Sequence, residues 1–169
     1  TTSLNYMQAE IVGLSFAIKP GEAAYVPLAH LNPGLGGQLD RDRILDQMKP
    51  LLESDAVKKV GQHLKYDANV LANHGITLRG IAHDTMLQSY IIDAVGSRHD
   101  MGSLALKYLG QRVISFEKVA GKGAKQVSFD HVDIEQAAAY AAEDADVTLR
   151  LHEVLMPKLE AEASLNEIY

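Results

Sequence analysis

This chain of 169 residues has the composition of one ordinary globular domain, with 47% hydrophobic and 22% charged residues. It contains no cysteine, which excludes disulfides and thiolate metal sites. Its formal net charge of −6 argues against a protein that coats nucleic acid by neutralising phosphates, but not against a nuclease, whose carboxylates bind metal ions. No apolar run approaches the ~18 residues of a membrane span and no signal peptide is evident, so we expect a cytoplasmic protein with no membrane partner.

The first elements predicted along the chain form a β-hairpin. Residues 9–18 and 23–30 have the composition of strands, and the turn sequence Lys19-Pro-Gly-Glu22 lies between them. Residues 31–39 are rich in Gly and Pro, which indicates a loop.

Helices dominate the rest of the chain and alternate at first with a short strand. The predicted elements are a helix from the cap Asp40 to residue 52, a strand at 57–61, a helix at 66–74 ended by Gly75, a helix capped by Asp84 that runs to residue 92, a helix at 101–109, an irregular basic segment at 110–128, and a long alanine-rich helix at 133–159 that could be broken in two. Residues 160–169 keep a pattern that is compatible with a helix. This order of strands and helices suggests an α/β layer fold.

Tyr140 and Asp144 carry most of the chemical information in the sequence. They lie four positions apart in a predicted helix, so the phenol and the carboxylate share one face. Asp67 is a second candidate carboxylate, and two acids and a tyrosine that meet in space suit metal-dependent hydrolysis of a phosphodiester. Taken alone, Asp67 is more often a carboxylate at a helix N-terminus, and the Tyr140–Asp144 pair more often a solvated helix face.

Other motifs indicate structure rather than catalysis. Asp84-Thr85 is followed by Met86 instead of the Glu of an Asp-Thr-Glu motif, so Asp84 is predicted to be a helix cap. Asp146 lies about 200° around the helix from Asp144 and is expected to face elsewhere. The segment Gly121-Lys-Gly-Ala-Lys125 lacks the ending of a P-loop, and the seven histidines lack the spacing of zinc ligands.

Four segments, in this order, resemble the proofreading 3′–5′ exonuclease domain of bacterial DNA polymerase I, a family A polymerase. They are Gly61-Gln-His-Leu-Lys-Tyr-Asp67, Ile81-Ala-His-Asp-Thr-Met-Leu-Gln-Ser-Tyr90, Gly96-Ser-Arg-His-Asp100 and Tyr140-Ala-Ala-Glu-Asp-Ala-Asp146. The resemblance covers residues 1–169 and implies an RNase H-like fold, a mixed sheet flanked by helices. It also implies membership of the exonuclease group named for four acidic residues (Asp, Glu, Asp, Asp), in the subclass that uses tyrosine.

The resemblance assigns catalytic roles to three residues. It makes Asp67 the acid of the second motif and Asp144 the acid of the third, with Tyr140 as its partner. In a site with two Mg²⁺ or Mn²⁺ ions, Asp144 would bind the ion that carries the attacking water, Tyr140 would orient that water, and Asp67 would act on the second ion.

The same resemblance implies that the domain is incomplete at both ends. The first motif, Asp-x-Glu, and the central strand that bears it are expected immediately before Thr1, and a polymerase portion of the same polypeptide after residue 169. Because ligands that bridge both ions would then be missing, we predict that these 169 residues alone bind metal weakly and have little activity.

A single-stranded DNA 3′ end is the substrate that the resemblance implies. Leu4 and Phe116 would wedge or stack against terminal bases, and the path of the strand would be lined by Gln62, His63, Lys65, Tyr66 and Arg98. Stacking accepts any base and contributes about 1–3 kcal/mol per base. His63 departs from the family, whose members often have Asn there, and makes its contact pH-dependent.

Two alternatives stay open from the sequence. One is an exonuclease of the same superfamily that trims RNA 3′ ends, because hydroxyl-selective contacts are expected near the first motif. The other is a non-catalytic scaffold that supports the polymerase. The joint presence of Asp67, Tyr140 and Asp144 speaks against the scaffold.

Overall fold

The computed structural model describes residues 1–32, 37–96 and 98–169. The elements within these ranges are β1 (Gly13–Lys19), β2 (Glu22–Pro27), α1 (Arg41–Leu52), β3 (Lys59–Gly61), α2 (Leu64–Asn73), β4 (Ile81–Asp84), α3 (Thr85–Ile92), α4 (Met101–Leu104), α5 (Phe116–Ala120), α6 (Ile134–Glu160) and α7 (Ala163–Ile168). A π-helical turn, Ala105–Leu109, continues α4, and 3-10 turns form at Gly123–Lys125 and Phe129–His131. Residues 33–36 of the predicted loop and Ser97 of the predicted 96–100 motif lie outside the described residues.

The predicted hairpin is confirmed, and its two faces pack against different helices. β1 and β2 pair antiparallel, from Gly13 opposite Pro27 to Lys19 opposite Glu22. Val26 packs into a cluster with residues of α1 and α2, whereas its neighbour Tyr25 packs on the side of α6, as the period of two along a strand requires. The strand begins at residue 13 rather than 9. Residues 9–12 are mostly buried, which explains their strand-like apolar pattern, but they precede the paired residues of β1.

A second, parallel pair of strands sets the start of two helices. β3 pairs with β4, and Gly61 lies opposite Asp84 at the end of both strands. β4 has only four residues and was not predicted as a strand. The predicted helix at 66–74 instead begins at Leu64, two residues earlier, and Gly75, with a φ of 72°, ends it as expected.

The long helix α6 is the central element of the domain. It runs unbroken for 27 residues from the N-cap Asp133, so the predicted break does not occur. Its first half packs Ala137 and Ala141 towards the hairpin side, and its second half packs residues such as Leu151 against α4 and the π-helical turn. Tyr140 and Asp144 therefore lie where these two buried stretches meet.

Two further predictions need correction or detail. The segment at 110–128, predicted to be irregular, contains α5, which packs against α6. The end of the chain, residues 160–169, contains α7, which packs against α6 and α3. In the part of the chain that the structure describes, no helix is both long and apolar enough to cross a membrane.

Candidate active site

Tyr140 and Asp144 face each other on α6 in a partly buried setting. Burial raises the pKa of Asp144 to about 7, the interaction with the Tyr140 hydroxyl opposes this rise, and the charge of the adjacent Glu143 adds to it. Burial also raises the pKa of Tyr140 above its usual value, and the charge of Asp144 acts in the same direction. The phenol therefore stays protonated and acts as a hydrogen-bond donor next to a carboxylate that is costly to ionise.

Phe116 and Tyr140 belong to one aromatic cluster. Phe116 meets Tyr140 edge-on, with ring centroids 6.2 Å apart, and Phe129 lies 5.9 Å from Tyr140. The Phe116 side of this cluster reaches the surface, because the residue keeps 38% of its area exposed. A partly exposed aromatic ring beside Tyr140 is suited to stacking on a base.

Asp67 is the fourth residue of α2 and lines a small cavity. The cavity has a volume of about 80 Å³ and is lined by Thr1, Ile11 and Gly13 among others. Protein packed around the carboxylate raises the pKa of Asp67 to about 6, against the opposing effects of the Thr1 amino group and His63. The residue as a whole is nevertheless solvent-exposed, so water screens part of this effect.

The described residues link Asp67 to the Tyr140 region indirectly. Thr1 lies within electrostatic reach of both Asp67 and Asp130, and Phe129, next to Asp130, packs on Tyr140. Within the described ranges no hydrogen bond or ion pair joins Asp67 to Tyr140 or Asp144. The convergence of the three residues at one catalytic centre stays a prediction.

The metal-binding capacity of these residues is partial. Asp67 and Asp144 offer the oxygen ligands that Mg²⁺ and Mn²⁺ prefer, and the surrounding protein raises the pKa of both carboxyl groups by desolvation. Across residues 1–32, 37–96 and 98–169, however, no group of three His, Asp or Glu side chains could hold a metal ion. The donor chemistry fits a divalent cation, but the described residues do not complete a site.

The predicted wedge residue Leu4 lies on a flank of the domain that Tyr66 organises. Leu4 is 94% exposed. The Tyr66 hydroxyl donates to the carbonyl of Ser3 and shares a 2.6 Å hydrogen bond with the Thr1 hydroxyl. His63 lies beside Tyr66, with ring centroids 6.5 Å apart. Leu4, His63 and Tyr66 thus belong to one surface region next to Asp67.

The remaining predicted DNA contacts are of two kinds. Lys65 and Arg98 are exposed, and the Nε of Arg98 lies 3.6 Å from the Asp100 carboxylate. Gln62 instead turns into the protein, where its amide donates to the His99 carbonyl at 2.8 Å and its carbonyl accepts from the Thr85 hydroxyl. Its side chain is engaged with His99 and Thr85, which sequence alone did not indicate.

Acidic residues next to the predicted site have structural partners. Asp146 faces away from Asp144 as expected, and accepts from the Gly21 N–H in the hairpin turn at 2.6 Å. Glu143 accepts from the Ile114 N–H at 2.6 Å and so ties the segment before α5 to α6. Sequence reasoning missed the role of Glu143; its place directly before Asp144 is the only signal that could have suggested it.

Comparison with known proteins identifies the family. A family model described as 3′-5′ exonuclease matches residues 1–160. The chain belongs to this family. It is 62% identical over 99% of its length to a DNA polymerase I of Pseudomonas aeruginosa, and 48% identical over 100% of its length to one of Rhizobium leguminosarum. The chain spans only 19% and 18%, respectively, of these relatives.

Solved structures confirm the fold class. The polymerase domain of Pol1 from M. smegmatis, in complex with DNA primer-template and dNTP, matches 98% of the chain and 24% of its own length, with a TM-score of 0.69 and 20% identity. NrnC of Brucella melitensis, bound to pGG, matches 98% of the chain and 72% of its own length, with a TM-score of 0.70 and 18% identity. The RNase H-like prediction is confirmed, although the strands in the described residues form two separate pairs.

Proposed function

We propose that these residues are the proofreading exonuclease domain of a DNA polymerase I, which hydrolyses mismatched nucleotides from a DNA 3′ end with the help of divalent metal ions. The supporting observation is a 3′-5′ exonuclease family match over residues 1–160 of a chain that also contains Asp67, Tyr140 and Asp144, the residues to which the sequence resemblance gives the catalytic roles. The proposal includes a polymerase portion on the same polypeptide and a cytoplasmic location, where it would meet replicating DNA.

The chemistry assigned to Asp144 and Tyr140 follows from their environment. A carboxylate that burial makes costly to ionise gains most from a cation beside it. Tyr140 keeps its proton over the working pH range, so its hydroxyl can donate to, and orient, the attacking water. Mg²⁺ or Mn²⁺, when bound, would lower the pKa of that water and stabilise charge on the phosphate.

The 3′ end of the strand fits between two exposed apolar groups. Leu4 and Phe116 lie at the surface beside Asp67 and Tyr140, respectively. Stacking against such groups is independent of base identity, as a proofreading enzyme requires. Lys65 and Arg98 are exposed cations that would contact phosphates.

The donor set is completed in this proposal by an Asp-x-Glu motif that precedes Thr1. The described residues hold no complete metal site, and the family resemblance places that motif there. The 169 residues alone are accordingly predicted to cleave DNA weakly, whereas a chain extended upstream through this motif is predicted to be active.

The test compares the 169-residue chain with the polymerase chain that contains it. Both are incubated with a 5′-labelled DNA strand and with its RNA equivalent, in Mn²⁺ and in EDTA. We expect stepwise shortening of DNA by the longer chain, abolished by EDTA and by Asp144→Asn. Equal activity of the 169 residues would contradict the need for the upstream motif. Faster digestion of RNA would favour the RNA-trimming alternative. A polymerase chain without exonuclease activity would favour the non-catalytic scaffold.

A further inference from the structure

The buried carboxylate of Asp84 is the most heavily engaged acidic group outside the proposed chemistry. It is only 8% exposed. Its two oxygens accept four backbone N–H groups, from His63 at 3.1 Å, Leu64 at 2.8 Å, Met86 at 2.9 Å and Leu87 at 3.3 Å. Hydrogen bonds of this charge-assisted kind are stronger than those between neutral groups.

The parallel strand pair explains how one carboxylate reaches so many donors. β3 and β4 end at the same edge, where Gly61 lies opposite Asp84, and each strand leads directly into a helix. The N-termini of α2 and α3 therefore lie side by side. Each N-terminus presents unpaired N–H groups and a partial positive charge. The Asp84 carboxylate accepts hydrogen bonds from N–H groups at both N-termini.

The start of α2 is held by a distant residue, unlike the starts of α1, α3 and α6. α1, α3 and α6 begin at their own Asp caps. α2 begins at His63, whose φ of 60° lies in the left-handed region and whose side chain makes no cap hydrogen bond. Its first N–H groups are held instead by a residue 20 and 21 positions later in the chain.

The first turn of α2 carries two residues of the proposed site. Tyr66 contacts Ser3 and Thr1, and Asp67 lines the adjacent cavity. A change in the direction of this turn would displace the Asp67 carboxylate. The Thr85 hydroxyl, shared between the Gly61 carbonyl at 3.2 Å and the Gln62 side-chain carbonyl, adds a contact to the segment that leads into this turn.

We propose that Asp84 is a positioning residue of the nuclease: its carboxylate fixes the first turn of α2 and thereby holds Asp67 in its working place. In this role Asp84 acts through the backbone N–H groups of His63 and Leu64. This inference rests on the proposed function and adds to it a residue outside the four acidic positions of the family.

Two substitutions test the role of Asp84. Asp84→Asn replaces one accepting oxygen with an amide group that cannot accept from N–H donors. Asp84→Ser keeps an N-cap for α3 but leaves a single oxygen, too little to serve α2 as well. Asp40→Asn is the matched control, because Asp40 caps only α1, through the Arg43 N–H at 2.8 Å.

Hydrogen exchange tests the positioning directly. In the wild-type chain we expect the His63 and Leu64 amides to exchange at least about 10-fold more slowly than exposed amides, and both Asp84 variants to remove that protection. Asp40→Asn should leave it intact. Fast exchange in the wild type, or protection that survives in a folded variant, would overturn the proposal, and the wild-type measurement decides even where a variant fails to fold.

Exonuclease kinetics in the polymerase chain test the link to Asp67. We expect Asp84→Asn to raise the Mn²⁺ concentration for half-maximal cleavage by about 10–100-fold and to lower kcat, with the rate of DNA synthesis little changed. Asp40→Asn should match the wild type. An unchanged Mn²⁺ dependence in an active enzyme would overturn this inference alone. An inactive wild type would overturn the proposed function and, with it, the catalytic part of the inference.

Discussion

The two helices that carry the predicted metal ligands are held in opposite ways. α6 has 27 residues, and Asp144 lies between a buried stretch at Ala137 and Ala141 and another at Val147. α2 has 10 residues, begins in a left-handed conformation and carries Asp67 in its first turn. Packing along a long helix therefore supports Asp144, whereas we propose that Asp67 depends in addition on the hydrogen bonds from the α2 start to the distant Asp84 carboxylate.

The electrostatics of the two carboxylates are nevertheless alike. Burial raises the pKa of Asp144 to about 7 and that of Asp67 to about 6. In both places the fold holds an acid where ionisation is unfavourable, which is the arrangement expected of groups that await a cation. The two regions differ in the contacts that hold each carboxylate in place. Substitutions of the carboxylates and of the residues around them should separate these structural contacts from the catalytic role.

The largest effect is expected from removal of the ligands themselves. Asp144→Asn in the polymerase chain should slow DNA cleavage by on the order of 1,000-fold, because several kcal/mol of transition-state stabilisation are lost with a metal ligand. Asp67→Asn should cost less, on the order of 100-fold, since Asp67 is proposed to act through metal-bound water. Single-turnover cleavage in Mn²⁺ measures both, with DNA synthesis as the control. Equal losses in the two variants would contradict the proposal that Asp144 binds its ion directly whereas Asp67 acts through metal-bound water.

Removal of the Tyr140 hydroxyl should have the next largest effect. Tyr140→Phe keeps the packing against Phe116 and Phe129 but loses the donor, so we expect a loss of about 10–100-fold in kcat. Single-turnover cleavage of a 5′-labelled strand in Mn²⁺ measures the loss, with DNA synthesis as the control. An unchanged kcat would contradict this role.

Local signals account for what the sequence predicted correctly. The hairpin has its turn residues, α1 and α3 have their own Asp caps, and α6 has a cap and a continuous apolar face. Tyr140 and Asp144 are neighbours through helix geometry alone. All of these follow from residues close together in the chain, and the site residues beyond them were supplied by the family resemblance.

The features that escaped prediction depend on residues far apart in the chain. β4 is four residues long and exists because it pairs with β3. The early start of α2 requires Asp84, which a sequence pattern assigns only to α3. The inward turn of Gln62 depends on Thr85 and His99. No periodicity or propensity reports such contacts, because they arise only when the strands have paired.

The buried acid of α6 should also be visible in stability without metal. The folded pKa of Asp144, about 7, lies above its ordinary value of 3.8, so its contribution is present below pH 4 and is lost as the pH rises through 7. Asp144→Asn should therefore be more stable than the wild type at pH 8, by roughly 1–2 kcal/mol, and about equal at pH 4. Urea unfolding in EDTA measures the difference. A variant less stable than the wild type at pH 8 would show that the ionised Asp144 carboxylate does not destabilise the fold.

The smallest expected effect is on the pH dependence of stability and comes from a stack of rings between α6 and β4. The His152 ring of α6 stacks on His83 of β4, with centroids 4.4 Å apart, and Tyr169 stacks on the same His83 at 5.8 Å. Burial and the proximity of His83 lower the pKa of His152 below 6.5, against the opposing charges of Glu153 and Glu160. The stabilising contribution of this neutral ring is thus present above pH 6.5 and is lost as the pH falls below it.

His152→Gln should therefore flatten the acid side of the stability curve. Between pH 7.5 and 5.5 we expect the wild type to lose up to about 1 kcal/mol more than the variant. His131→Gln is the comparison variant, because it removes an exposed histidine that is paired with Asp130 and makes no contact with the stack. A parallel pH dependence of wild type and variant would show that the stack does not titrate.

Hydrogen exchange can also test whether the stack affects the start of α2, because His83 directly precedes Asp84. If the His63 and Leu64 amides lose protection at pH 5.5 in the wild type but not in His152→Gln, the stack on α6 contributes to holding α2.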